Sequence, residues 1–239
     1  MKIIDSKVLD DLILKNEKIS YYLRDEEEIN KGNRLVVFDE KEETVVDSFP
    51  NLRIIYNGKN SLIRIHKSAV FNMTTIVIGE GGYIFIDKAF RTRHKSDINL
   101  GGENGTLFIG AFSNFGNADI FAGDEPNLEI VIGREFISAI NLVLRASDGH
   151  TIYDNQTKQV LNKPSFGIHI CSHVWCGLNV TIIKDAIIPK DCVIGACSLV
   201  TKNKFEPNSA IGGVPAKTIK TGINWDKVNV NTFESKNNV

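Results

Sequence analysis

The stretch "IHICSHVWCGLNVTIIKDAIIPKDCVIGACSLVTK", residues 168–202, decides the fold. Counted in sixes, Ile170, Cys176, Ile182, Ile188, Ile194 and Val200 share one phase, and all are apolar. The positions two before them, Ile168, Val174, Val180, Ala186, Cys192 and Ser198, are small or apolar too. Two inward side chains on a short extended run, then a bend, repeated every six residues, describe strands stacked as a solenoid. Helical periodicity does not produce this beat. It recurs in "LEIVIGREFISAINLVLRAS" (128–147) and more loosely in "SLIRIHKSAVF" (61–71) and "NGTLFIG" (104–110).

The same stretch holds "HICSHVWC", two histidines and two cysteines in eight positions, which invites a zinc reading. Zinc ligands come as a pair answered downstream by a second pair of similar spacing. Cys192 and Cys197 lie five apart with no histidine near, and none follows His173. The six-residue phase also turns Cys176 inward and His169, Cys171 and Trp175 outward, so these side chains do not converge. No metal is expected.

The residues from about 128 to 220 resemble the hexapeptide-repeat acyltransferases of the left-handed β-helix superfamily. The likeness is carried by the coil run above, which ends in "IGACSLV", and by "GGVPAKTIK" (212–220). Within that superfamily "SDGHTIYD" (147–154), a loop and then "HVWCG" (173–177) are similar to bacterial polysaccharide and sialic-acid O-acetyltransferases. The resemblance implies a mainly β protein, a left-handed parallel β-helix, to which the residues before the repeat add a small N-terminal α/β cap. It also implies an acetyl-CoA-dependent homotrimer with active sites between subunits. Cys171 and Pro189 depart from the repeat's usual small or polar choices, and Cys176 replaces an aliphatic.

Three regions are expected: a cap over the open end at 1–50, a solenoid at 51–213, and a cofactor-contacting segment and tail at 214–239. "DSKVLDDLILKNEKISYYL" (5–23) has helical spacing, and "NRLVVFDEKEETVVDSF" (33–49) reads as two strands about a charged turn. Inserted loops are expected at 87–105 and 151–165, and the last residues, "VNVNTFESKNNV", read as frayed. The glycine clusters "GEGG" and "GGENG" lack a following helix and read as turns.

On residues alone His150 reads as a surface loop histidine; the resemblance reverses this, making His150 the general base, and lets Trp175 position the acetyl group and pantetheine arm, with trimer packing as the alternative for that indole. Asp148 is a candidate to orient the imidazole, with plain turn chemistry as the alternative. The Gly177 N–H is a candidate oxyanion donor. Gly195, Ala196, Lys202, Pro215 and Lys217 are the expected cofactor contacts, with both lysines offered to phosphates. Arg91 and Arg93, in the basic run "AFRTRHK", and Tyr153 are candidate acceptor contacts, although such a run is commonly a solvated face.

The 239 residues carry a formal net charge of -1, so nothing global draws nucleic acid. The N-terminus lacks the apolar run of a signal peptide and no stretch has membrane-spanning length, so a cytoplasmic protein with reduced thiols is expected. The expected activity is transfer of acetyl from acetyl-CoA to a sugar hydroxyl of a capsular or other surface polysaccharide, or its precursor. The alternatives are an N-acetyltransferase acting on an amino sugar or small acceptor, a metal-dependent β-helix carbonic anhydrase, and a non-catalytic scaffold.

Overall fold

A computed structural model describes residues 5–15, 18–24 and 26–237. Its strands form three faces of a prism. Each coil visits them in the same order, as Glu129–Ile132, Ile137–Ser138 and Leu142–Arg145 do on the first, second and third face. Along each face the coils pair in parallel, so backbone groups are satisfied by the coils above and below.

The interior consists of straight side-chain rows. On the first face Ile65, Ile86, Ile109, Ile132, Ile170 and Ile188 stack in register. On the third face Ile76, Ile98, Ile120, Leu144, Ile182 and Val200 do the same. The second face contributes Thr92, Phe115, Ser138, Cys176, Ile194 and Ile211. Cys176 is fully buried there, a small core residue whose thiol burial holds in its neutral form. In the lower coils Phe90, Phe115 and Phe136 meet edge to face, with centroids 5.1 and 5.5 Å apart. Corners rest on residues that tolerate positive φ, such as Asn141 and Asn179, whose amides bond at 2.8 Å.

The stretch 87–105, expected as an inserted loop, is a regular part of the prism. Strands Arg91–Thr92 and Ser96–Leu100 pair with neighbouring coils, with Thr92, Ser96, Ile98 and Leu100 buried and Arg91, Arg93, His94, Lys95 and Asp97 exposed. Polar Thr92 and Ser96 at inward positions hide the alternation.

The N-terminal segment also lies differently from the expected end cap. Helices Ser6–Leu14, Ser20–Leu23 and Glu26–Ile29, with Ile19 just before the second, bring Leu9, Ile13, Ile19 and Ile29 to an apolar layer on the outer side of the first face. There they meet Phe85, Phe108, Val131 and Cys171. Only strands Arg34–Phe38 and Glu43–Val46 extend that sheet at its open edge. Polar pins hold the helices. Glu129 accepts the N–H groups of Ile19 and Ser20 at 2.8 and 2.7 Å and bonds His169 Nε2 at 2.6 Å. Asp10 accepts the Ser172 N–H and hydroxyl at 2.8 and 3.0 Å. His169 and Cys171 therefore point out of the prism, as the phase requires, yet are covered.

Candidate functional site

Residues 146–166 leave the prism at the corner between the third and first faces. Tyr153 and Val160 form one antiparallel bridge within this loop, and Tyr153 is half exposed with the Lys158 ammonium 5.0 Å from its ring centre. Several polar contacts fix the loop to that corner. Lys184, on the next coil, bonds the Asp148 carboxylate and donates to the Asn162 carbonyl at 3.0 Å. Asn162 Nδ2 donates to Asp148 and to the His150 carbonyl, each at 2.8 Å. At the loop's end the Asp185 carboxylate accepts the Ser165 and Phe166 N–H groups at 2.8 and 3.2 Å.

His150 is thereby held by its backbone while its imidazole is exposed and has no partner among the described residues. Asp148, expected to orient that ring, instead bonds Lys184 and Asn162. The Lys184 ammonium holds its carboxyl below the usual range against the opposing effect of partial burial, and Asn162 adds to the lowering. Asp148 anchors the loop that carries His150.

Trp175 occupies the outward row of the second face, between Ile137 and Val193, and is 42% exposed. The expected oxyanion role of the neighbouring glycine does not hold. The Gly177 N–H donates to the Ile194 carbonyl at 2.8 Å and is spent on the coil ladder. A Cβ at this position would stand 2.8 Å from the Ala196 nitrogen, so glycine is there for close coil stacking. The Gly195 N–H is likewise bonded, to Ile211, whereas the N–H of exposed Ala196 has no partner among the described residues. Ala196 thus offers a backbone donor on this wall.

Lys202 and Lys217 are not brought together within one chain. Lys202 stands at the third–first corner, lining a cavity of about 660 Å³ with Leu14, Phe166, Ile187 and Phe205. Lys217 lies on the second face, in strand Ala216–Thr221, whose hairpin turn contains exposed Pro215. Arg91 shares the outward row of Trp175, with Asn114 and Ile137 between them. Three coil spacings separate the two, about 14 Å. Arg93 stands exposed at the following corner, its N–H bonded to the Phe115 carbonyl at 3.0 Å.

Sequence reasoning missed Trp225. The segment after the last hairpin returns along the corner between the first and second faces. The Trp225 ring stacks on His173 with centroids 4.2 Å apart and planes 7° apart, and its Nε1–H donates to the His173 carbonyl at 3.0 Å. It stands 6.0 Å from Trp175. An isolated tryptophan in a polar tail was the available signal.

The architecture is that of a parallel β-helix built on six-residue repeats, with its polar chemistry on one loop and one wall. No family model matches the chain. It is 31% identical over 192 residues to the polysialic acid O-acetyltransferase of Neisseria meningitidis, covering 71% of this chain and 87% of that enzyme. It is 33% identical over 143 residues to the polysialic acid O-acetyltransferase of Escherichia coli O1:K1, covering 60% of this chain but only 44% of that longer enzyme. The crystal structure of the polySia-specific acetyltransferase NeuO is similar with a TM-score of 0.65 at 27% identity, over 77% of this chain and 81% of that one. The chain belongs to the hexapeptide-repeat acyltransferase family, as its motifs led one to expect.

Proposed function

We propose that this protein transfers the acetyl group of acetyl-CoA to a hydroxyl of a sialic-acid-bearing or other surface polysaccharide, or of its precursor. The observation that carries the reading is a histidine whose backbone is fixed by Asn162 and whose imidazole is free to work. A sugar hydroxyl is a poor nucleophile at neutral pH, and a neutral imidazole takes its proton as the oxygen attacks the thioester carbonyl. The new C–O bond forms, the C–S bond breaks, and the proton held by His150 goes to the departing thiolate. Transfer is direct, the sugar oxygen attacking acetyl-CoA itself, and the thiols of Cys171, Cys176 and Cys192 are buried away from it.

His150 and Trp175 do not meet in one chain. The loop is pinned at the third–first corner, and in a triangular prism that corner faces away from the second face. The reading therefore places the site between copies, a homotrimer in which the histidine of one faces the indole of the next. Gly195, the free Ala196 N–H, Pro215 and Lys217 then line the cofactor's path on the Trp175 side. Lys202 approaches its phosphates from the copy that supplies His150. Arg91, Arg93 and Tyr153 are assigned to a carboxylate-bearing acceptor. Dependence on acetyl-CoA places the reaction in the cytoplasm, and no described helix is long and apolar enough to cross a membrane.

A carbonic anhydrase reading would use His150, His169 and His173, and two of these three are engaged elsewhere. His169 is bonded to Glu129, and His173 to Asp191 at 2.9 Å. The decisive experiment incubates the protein with acetyl-CoA and oligosialic acid, follows thiol release and locates the ester by mass spectrometry. His150→Ala is expected to lower kcat by about 10²–10⁴-fold. Full activity in that variant would overturn the mechanism.

A further inference from the structure

The indole beside Trp175 points to what limits the acyl group. Along the chain Trp175 is followed by Gly177, which the Ala196 backbone of the next coil approaches closely, and on the His173 side its ring stands 6.0 Å from that of Trp225. A carbon layer between two rings needs about 3.5–4.0 Å of clearance on each side, so roughly 7–8 Å between them. The two indoles are 6.0 Å apart and tilted by 46°, which leaves no such gap. Anything lying on Trp175 and entering from the Ala196 side stops against Trp225.

Trp225 is also well fixed. Its ring is stacked on His173, its Nε1–H is bonded to the His173 carbonyl, and Lys227 reaches Glu135, one coil below, at 4.0 Å. His173 in turn holds Asp191 of the next coil. Beyond it, helix Val230–Asn237 buries no residue. The ordered contacts of this segment are concentrated where it passes Trp175.

We infer that Trp225 forms the end wall of the acyl pocket and sets its preference for a two-carbon acyl group, which rests on the reading of Trp175 as the acyl platform. One extra methylene rejected by a closed apolar pocket changes kcat/KM by about 10–200-fold. Removing the indole opens the pocket at the end where a longer chain extends. Trp225 is a specificity-determining residue, and its loss changes which thioester is used more than how fast acetyl moves.

The test compares acetyl-CoA, propionyl-CoA and butyryl-CoA with the native protein, Trp225→Ala, Trp225→Leu and Trp225→Phe, reading kcat/KM by thiol release. Trp225→Ala is expected to raise the propionyl-to-acetyl ratio about tenfold or more, Trp225→Leu by less, and Trp225→Phe by under threefold. Phe233→Ala, in the exposed terminal helix, leaves the ratio unchanged. A ratio within twofold of the native value in both Trp225→Ala and Trp225→Leu overturns the inference, as does a fall in all three thioesters together. The chain holds two tryptophans, so Trp225→Phe leaves Trp175 as its only indole. Quenching of that emission by acetyl-CoA tests the platform itself. Quenching with an unchanged ratio sinks the end wall alone, whereas no quenching sinks the reading beneath it.

Discussion

Replacing Glu129 by alanine should free the N-terminal helices from the prism wall. The carboxylate is fully buried and bonds three groups: the N–H of Ile19, the N–H of Ser20, and Nε2 of His169. Burial alone would raise its pKa, but the bond and charge of His169 and the two N–H donors outweigh this and hold the carboxyl below its ordinary value. Alanine leaves these three buried groups without an acceptor. Breaking a buried pair from one side costs about 3–5 kcal/mol. Subtracted from the local free energy that closes the helices onto the wall, this raises the open population about 10²–10⁴-fold.

Hydrogen exchange followed by mass spectrometry reads that opening directly. In Glu129→Ala, peptides spanning 6–14 and 19–23 should exchange faster by that factor while coils 168–200 keep their protection. The pH dependence follows from the lowered pKa. The stabilisation is complete above the ordinary carboxyl value of 4.5 and is lost as pH falls through the lower value in the folded protein. Acid should therefore loosen the helices of the native protein and change little in the variant. Exchange within threefold of native would show that Leu9, Ile13, Ile19 and Ile29 suffice to hold the layer, and the latch argument would fail.

Gly177→Ala should lower the melting temperature by several degrees, since its Cβ meets backbone 2.8 Å away on the next coil and overpacking costs about 1–3 kcal/mol. An unchanged melting curve would contradict that account of the glycine. Of the four cysteines only Cys197 is exposed, so a thiol reagent should titrate one group per native chain and the other three only after unfolding. It adjoins Ala196, and acetyl-CoA should slow its labelling if the cofactor lies along that wall. Lys184→Ala should reduce kcat about tenfold with little change in KM for acetyl-CoA, because it unties Asp148 and Asn162 beneath His150. Unaltered turnover would show that the loop keeps its geometry without the lysine.

The part of the fold nearest the C-terminus was the most legible, for a geometric reason. There stacked neighbours such as Ile168 and Ala186, or Ile182 and Val200, lie a whole number of sixes apart. Lower down, the first-face row runs through Ile63, Ile84, Leu107 and Ile130, spacings that are not multiples of six. Extra corner residues break the beat without breaking the ladder, which is why 87–105 read as a loop. The outward phase of His169 was also readable, but not its cover. Its partner Glu129 sits 40 residues away, and the Asp10 carboxylate that meets Ser172 sits 162 away. Such pairings depend on which wall the helices choose, and local sequence does not encode that choice. The same limit applies to Asp148: spacing placed a carboxylate near His150, and only the folded corner showed that Lys184 takes it.

The sharpest consequence of the prism geometry concerns assembly. The contacts from Lys184 and Asn162 keep His150 at one corner, and the ladder from Ile137 to Val193 keeps Trp175 on the face opposite. If both rings serve one thioester, each site draws them from different copies. His150→Ala and Trp175→Ala should then each be inactive alone, yet mixed assemblies should recover activity. A working site pairs a Trp175→Ala chain, which keeps the histidine, with a His150→Ala neighbour, which keeps the indole. Random mixing at equal amounts makes about one site in four of this kind, whatever the number of copies in the ring. Co-refolding the two variants and measuring thiol release per site should therefore return about a quarter of the native rate. Recovery no greater than that of either parent, in assemblies shown by native mass spectrometry to be mixed, would mean that both rings act within one chain or that one of them does not act at all.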